Sequence, residues 1–381
     1  MKLYLIAGEA SGDRLGAALL AGLRELRPDL SVRGIGGPLM AAEGVQSLFP
    51  MEELSVMGLA EILPKYLHLK RRIRQTAQDV LADPPDALIT IDSPDFGQRV
   101  ARLVRAGNPD VRTIHYVAPS VWAWRPGRAA HMAQVIDHVL ALLPFEPPFM
   151  TSAGMTCDFV GHPVVAEPRA TPVEAQTFRD RLGGGPVILT LPGSRRGEVT
   201  RLAPVFGRVL AQVLAAQPQA RVVLPTLAHL VPLVSEVTAD WPIRPLVMTE
   251  AQDKRAAFGA ADVALAASGT VSLELAANGV PMVIAYDMHP VTMWLMQRMA
   301  RVDTVTLVNL VSETRTVPEF LGPRRRPDLI APALLALLAP GPEREAQSKA
   351  MRLTMERLGE GGEAPGLRAA RSVLRALGEP A

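Results

Sequence analysis

From its first residues the chain alternates short apolar runs with longer stretches of helical periodicity. That alternation narrows the possible folds more than any other feature. Apolar runs fall at residues 2–7, 86–91, 112–117 and 137–142, with helical patterns such as 13–27 and 96–105 between them. A β-α-β-α order predicts a parallel sheet wrapped by helices. A second series follows, with strands expected near residues 187–191, 220–224, 263–266 and 282–285. Between the two series, the segment from Gly161-His162-Pro163 to Thr171-Pro172 is rich in chain breakers and reads as a linker. A chain of 381 residues suits two domains of middling size. The expected fold class is α/β, with two doubly wound Rossmann-like domains facing a cleft, at 1–163 and 172–344. A tail over 345–381, helical in pattern, is broken by Gly359-Glu360-Gly361-Gly362. Open α/β sheets bind ligands beyond the carboxyl ends of their strands, so functional residues are expected just after the strands.

Composition sets outer limits. Apolar residues make up 48% of the chain and aromatic residues only 4%, so the two cores must be built mainly from aliphatic side chains. The net charge of +2 is too small to predict nucleic-acid binding. One cysteine, Cys157, allows no internal disulfide and no cysteine-built metal site, which fits a reducing compartment. The opening apolar run ends at Gly8-Glu9, too soon for a signal peptide, and no run of about 18 apolar residues predicts a membrane span.

Several strand ends carry chemistry. Gly8-Glu9-Ala10-Ser11-Gly12-Asp13 stands where the first strand gives way to a helix, and its glycines admit a ligand close to the backbone. Its spacing is not the dinucleotide fingerprint. The same stretch also reads as an ordinary turn, with Asp13 capping the helix. In Ile91-Asp92-Ser93-Pro94-Asp95-Phe96, Asp95 follows a proline and precedes a helix, so it reads as a cap. That leaves Asp92 as the candidate base, or as a hydrogen-bonded turn residue. Trp122 and Trp124 fall in a loop after a strand and suit either sugar stacking or core packing, while Arg125 and Arg128 can meet a phosphate.

In the second series, Gly193, Ser194 and Arg195 open a helix. A helix start beside an arginine can cradle a diphosphate, and the Walker lysine pattern is absent. Ser268-Gly269-Thr270 repeats this arrangement, with Glu274 one turn on. It reads as phosphate and ribose recognition or as a capping box.

One stretch mixes apolar and basic side chains. Leu59, Ile62, Leu63, Tyr66, Leu67 and Leu69 lead into Lys70, Arg71, Arg72 and Arg74. Such a helix suits an anionic membrane surface, or a core face with a solvated basic side. Met293, Trp294 and Met296 form a second candidate for docking.

Taken together and in order, these motifs resemble those of the lipid-A-disaccharide synthases. The resemblance rests on Gly8-Glu9-Ala10-Ser11-Gly12-Asp13, Val56-Met57-Gly58, Ile91-Asp92-Ser93-Pro94-Asp95-Phe96 and the run from His115 through Trp124. It is extended by Leu143-Pro144-Phe145-Glu146, Gly161-His162-Pro163, Leu191-Pro192-Gly193-Ser194-Arg195 and Ala267-Ser268-Gly269-Thr270. It thins beyond about Val311. It implies a glycosyltransferase B-type fold, in which a last helix commonly crosses back, so residues 345–381 are expected to return to the first domain. It implies UDP-2,3-diacylglucosamine as donor and 2,3-diacylglucosamine 1-phosphate as acceptor. The products would be a β(1→6)-linked disaccharide 1-phosphate and UDP.

The resemblance places Asp92, Glu9 and Ser11 in the catalytic group. It places Gly193, Ser194, Arg195, Ser268, Gly269, Thr270, Glu274, Tyr286 and Asn309 around the UDP-sugar. Two departures from the family pattern stand beside these last residues, Asp287 after Tyr286 and Val308 before Asn309. Arg195 and the helix starts would receive the leaving charge, so neither metal nor other cofactor is expected. The resemblance also implies a cytoplasmic enzyme held peripherally on the inner membrane of a Gram-negative bacterium. Other UDP-sugar enzymes of the same fold, such as UDP-N-acetylglucosamine 2-epimerases, and a non-catalytic binding module are the alternatives.

Overall fold

The computed structural model of the chain describes residues 1–54, 59–125, 127–287, 298 and 302–380, and in the helix Leu59–Ala82 it describes side chains from Leu67 onward. Val56-Met57-Gly58, the side chains of Leu59, Ile62, Leu63 and Tyr66, and residues Met293, Trp294 and Met296 lie outside the described residues. The chain divides into two units, Met1–Ala166 with Gly361–Ala381, and Glu167–Glu360.

The first unit holds β1 (Lys2–Ala7), β2 (Ser31–Ile35), β3 (Ala87–Ile91), β4 (Arg112–Tyr116), β5 (His138–Ala141) and β6 (Thr156–Phe159). They form one parallel sheet in the order β2-β1-β3-β4-β5-β6. Helices on both faces require strands that are apolar throughout, and every residue of β3 is buried. From β1 the chain steps to β2 on one side, then crosses to β3 on the other. The loops after β1 and β3 therefore leave in opposite directions and open a crevice between them. Ala7 pairs with Ile91, and Ile91 with Tyr116, so β1, β3 and β4 end level and three loops begin side by side.

The second unit repeats this logic. Its strands are β7 (Val187–Leu191), β8 (Arg221–Pro225), β9 (Leu246–Met248), β10 (Val263–Ala266), β11 (Met282–Tyr286) and β12 (Glu319–Leu321), in the order β12-β11-β10-β7-β8-β9. The direction reverses between β7 and β10, whose ends are level through the pair Ala266 and Leu191. The helix Arg196–Ala216 is long and apolar enough to cross a membrane. Its Val199, Leu202, Phe206 and Leu210 instead form the core against this sheet.

Four strands were not expected from the sequence: β2, β6, β9 and β12. All four are sheet edges. An edge strand is half exposed, so Ser31, Arg33, Thr156, Asp158 and Glu319 stand where a central strand would be apolar.

The tail divides differently from the expectation for residues 345–381. The helix Pro342–Arg357 stays with the second unit, where buried Gln347 exchanges hydrogen bonds with the main chain of Met282 at 2.9 and 3.0 Å. Only from Gly361 does the chain join the first unit. There the helix Pro365–Ala376 crosses the helix Ala10–Leu26 at glycines. A Cβ on Gly366 would lie 2.4 Å from the Ala18 carbonyl oxygen. Buried Ser372 completes the attachment by bonding His138 at 2.8 Å and Asp158 at 2.7 Å.

Candidate active site

The crevice of the first sheet is tightly built. Gly8 follows β1 and must lack a side chain, because a Cβ there would lie 2.8 Å from Ser93 Oγ on the neighbouring loop. Glu9 stands at the helix start, though its side chain does not cap that helix. Ser11 lies in the first turn, and its Oγ donates to Asp92 Oδ2 at 3.3 Å. The sequence reading of Asp13 as cap of its own helix is corrected. Buried Asp13 accepts the N–H groups of Gly37, Leu39 and Met40 at 2.9–3.0 Å and so caps the short helix Pro38–Ala42. Asp95 is not a cap either, because the helix Pro94–Gly107 starts before it and Ser93 holds the cap position.

Asp92 is half-buried at the end of β3, and its N–H still donates to the Tyr116 carbonyl at 2.9 Å. The chain then turns abruptly. Asp92 and Ser93 have φ of +51° and +44°, two successive non-glycine residues in the left-handed region. Just after β4, Val117 has φ of +86°, and a β-branched residue adopts such a value only under constraint. Strain of this kind costs roughly 1–3 kcal/mol per residue and gathers where function requires a fixed geometry. Beneath the crevice, buried His115 bonds Thr90 through Nδ1 at 2.7 Å.

The second crevice holds two ion pairs, Arg195 with Glu198 and Lys254 with Glu274. Gly193, at φ of +116°, turns the chain out of β7 beside Glu198, whose Oε2 would stand 2.5 Å from a Cβ at that position. Glu198 accepts the N–H of Ser194 at 3.1 Å and of Arg195 at 3.3 Å, and pairs with the Arg195 guanidinium at 3.3 Å. The Arg195 side chain is otherwise 67% exposed, so it can meet a ligand. Opposite, Thr270 begins the helix Val271–Ala277 without a side-chain cap. With no side-chain bond from Thr270 there is no capping box, and Glu274 pairs with Lys254 at 2.5 Å.

These loops enclose a cavity of about 420 Å³, lined by Gly193, Ser194, Arg195, Ser268, Gly269, Thr270 and Glu274. That volume is within the roughly 300–1,000 Å³ of small-molecule sites. A larger cavity of about 880 Å³ lies at the amino ends of the first unit's strands, among Met1, Asp86 and Arg112, away from the crevice where a doubly wound sheet binds ligands.

Sequence reasoning missed Glu198, Lys254, Thr226 and Leu227 at the smaller cavity. Thr226 and Leu227 directly follow β8, so the strand-end rule alone could have found them. Lys254, on the helix Ala251–Ala260, had no such signal. Two expected contacts are not among the lining residues. Tyr286 is half-buried at the end of β11, and burial together with the charge of Glu198 pushes its phenol above the ordinary value. Asn309 is buried, and its amide is engaged by Thr304 and the main chain of Val317. The departure at Asp287 is matched by Arg325, 2.9 Å away.

In the basic helix, Leu67 is 77% exposed, and Lys70 and Arg71 are exposed, whereas Leu69 packs against the core. Arg72 turns inward to Glu53 at 2.6 Å and lies over the Phe49 ring. Among the described residues no three metal-ligating side chains gather at one place.

The family model of lipid-A-disaccharide synthetase matches residues 3–365, well past Val311. The chain belongs to the lipid-A-disaccharide synthase family. A relative of that name from Ruegeria pomeroyi is 61% identical over 99% of this chain and 96% of its own length. Another, from Rhodospirillum centenum, is 46% identical over 98% and 94%. Members of this family are glycosyltransferases, and this chain is one.

Solved structures agree in fold alone. UDP-GlcNAc 2-epimerase from Neisseria meningitidis bound to UDP-GlcNAc has a TM-score of 0.60 at 11% identity, covering 93% of this chain and 99% of its own. The calicheamicin glycosyltransferase CalG4 has a TM-score of 0.57 at 19% identity, covering 100% and 98%. The chain thus has the glycosyltransferase B-type architecture.

The buried imidazoles of the first unit imply a pH dependence. Burial holds His115 down to about 4, against the smaller opposing effect of the Asp92 charge, and burial holds His162 down to about 4. In the unfolded chain histidine titrates near 6.5, so between these values the unfolded state binds more protons. The stability these two histidines contribute is therefore full above about pH 6.5 and falls as pH drops toward 4, whereas Glu146 of the same unit, raised by burial to about 7, acts in the opposite sense. The thermal unfolding midpoint of the wild type should therefore fall relative to that of His115→Gln/His162→Gln as pH drops through that window. An equally steep decline in the double variant would contradict this assignment.

Proposed function

We propose that the chain transfers the diacylglucosamine unit of UDP-2,3-diacylglucosamine to 2,3-diacylglucosamine 1-phosphate by a single inverting displacement, with Asp92 as the base. The acceptor 6-hydroxyl oxygen bonds to the donor's anomeric carbon as the bond from that carbon to the diphosphate oxygen breaks. Asp92 takes the hydroxyl proton, and the electron pair leaves with UDP. Ser11, bonded to Asp92, orients the carboxylate, and Glu9 borders the same crevice. Positive charge grows on the donor ring and negative charge on the leaving diphosphate. Arg195 meets the latter, with Lys254 adding its charge beside it. Glu274 accepts hydrogen bonds from ribose hydroxyls. These cations take the part that a divalent metal plays in other transferases.

The observation that carries this reading is Asp92 itself. A half-buried carboxylate stands in a doubly left-handed turn at the point where the first sheet changes direction. Asp92→Asn is expected to cut turnover by ~10²–10⁴ with UDP affinity nearly intact. Arg195→Ala is expected to weaken UDP binding and slow transfer together. Near-normal turnover in Asp92→Asn would remove Asp92 as base and bring Glu9 forward.

Both substrates carry acyl chains, so the enzyme must reach a lipid surface. We propose that it docks peripherally on the cytoplasmic face of the inner membrane through the exposed side of Leu59–Ala82. Leu67 would enter the acyl boundary, and Lys70 and Arg71 would face lipid phosphates. Arg72 contributes little, because its charge is already matched by Glu53. Burying a leucine is worth ~1.5–3 kcal/mol whatever the salt. Each basic residue adds ~1 kcal/mol that fades as ionic strength rises. Leu67→Ser should therefore weaken binding to anionic vesicles at any salt, and Lys70→Glu/Arg71→Glu mainly at low salt, both with unchanged melting. Vesicle binding unaffected by either change would place the docking surface elsewhere.

A further inference from the structure

One buried carboxylate of the first unit has no part in the chemistry above. Glu146 is only 4% exposed. It precedes the short helix Pro147–Thr151, yet its side chain does not cap that helix. It turns instead toward the loop that leaves β4. Its Oε1 accepts the indole N–H of Trp122 at 3.2 Å, and its Oε2 accepts the main-chain N–H groups of Leu142 and Leu143 at 3.1 and 3.0 Å. Phe145 seals the contact edge-on, its ring centroid 5.1 Å from that of Trp122.

The loop so held is strained at both ends. It begins at Val117, with φ of +86°, and runs to Arg125, with φ of +50°. It begins beside Asp92, whose N–H is bonded to the residue preceding Val117. Strained backbone persists only where its surroundings over-determine it. Glu146 is well placed to do so, because it joins the loop after β4 to the loop after β5, the next strand in the sheet. Three N–H donors converge on it, and only a carboxylate satisfies all three. A glutamine has one acceptor oxygen and would turn its own N–H₂ group toward a donor. Burial pushes the Glu146 carboxyl up to about 7 against the pull of these three bonds.

We propose that Glu146 is a positioning residue for glycosyl transfer, clasping Trp122 so that the strained loop of residues 117–125 is set against Asp92 to seat the acceptor. The proposal rests on the reading of Asp92 as the base. A clasp that serves the acceptor should leave the nucleotide pocket of the other unit untouched.

The test is a double-mutant cycle with Glu146→Gln and Trp122→Phe in the full-length protein. Turnover is measured against each substrate in turn, with UDP affinity and the melting temperature of every variant. Glu146→Gln is expected to lower kcat/KM for the acceptor by ~10–100-fold with UDP affinity unchanged. Trp122→Phe should act in the same direction, and the double variant should be no worse than Glu146→Gln, because both break one contact. Losses that multiply would overturn the clasp. So would normal acceptor kinetics in a folded Glu146→Gln, or UDP affinity falling in step with acceptor kinetics. Should Glu146→Gln fail to fold, Trp122→Phe alone decides, and normal acceptor kinetics in it would overturn the proposal. Asp92→Asn, assayed in parallel, separates the two readings. Near-normal turnover there with the expected cycle removes the base and keeps the clasp, whereas an inactive Asp92→Asn beside a normal Glu146→Gln removes the clasp alone.

Discussion

The pairing of β1, β3 and β4 in a common register is the constraint from which the first site follows. Ala7, Ile91 and Tyr116 end one row of the parallel ladder, and the bond from the Asp92 N–H to Tyr116 continues it by one residue. Past that row each strand must leave the sheet at once, and β1 and β3 leave in opposite directions. The available space is so small that Gly8 cannot carry a side chain and Asp92, Ser93 and Val117 adopt left-handed backbone. At roughly 1–3 kcal/mol each, such residues are held only because the apolar strands beneath them are fixed by burial on both faces.

The same topological device appears in both units, with opposite chemistry. In the first, the direction change presents a carboxylate and a hydroxyl, Asp92 and Ser11. In the second, it presents Arg195 after β7 and Glu274 after β10, paired with Glu198 and with Lys254 of the helix Ala251–Ala260. In the proposed displacement the first group takes the acceptor's proton and the second meets the leaving diphosphate. Glu198 adds a detail. It occupies the N–H groups of Ser194 and Arg195, just before the helix Arg196–Ala216, which leaves the guanidinium of Arg195 as the group the proposed mechanism uses.

The central strands and the loops after them were legible in the sequence, because burial on both faces demands continuous apolar runs and because doubly wound sheets carry their sites at strand ends. The edge strands were not legible. Ser31, Arg33, Thr156, Asp158 and Glu319 show why, since a half-exposed strand carries no apolar run. Local capping signals misled for a related reason. Asp13 and Asp95 each sit where a cap belongs in sequence, but Asp13 serves a helix more than twenty residues away, and Ser93 takes the cap position ahead of Asp95. The glycine run at residues 359–362 marked the break in the tail, but which unit each side joins, like the pairing of Lys254 with Glu274, depends on contacts between residues distant in sequence, which periodicity and spacing do not encode. Motif reasoning named Asn309 but not its bonds to Thr304 and to the main chain of Val317, which hold its own loop.

In the proposed reaction this chain joins two substrates and does not act on the nucleotide sugar alone. Release of UDP, followed with donor alone and with donor plus 2,3-diacylglucosamine 1-phosphate, tests that claim most directly. UDP released only when both substrates are present, in step with disaccharide formed, is the predicted result. UDP released at the same rate from donor alone would contradict it.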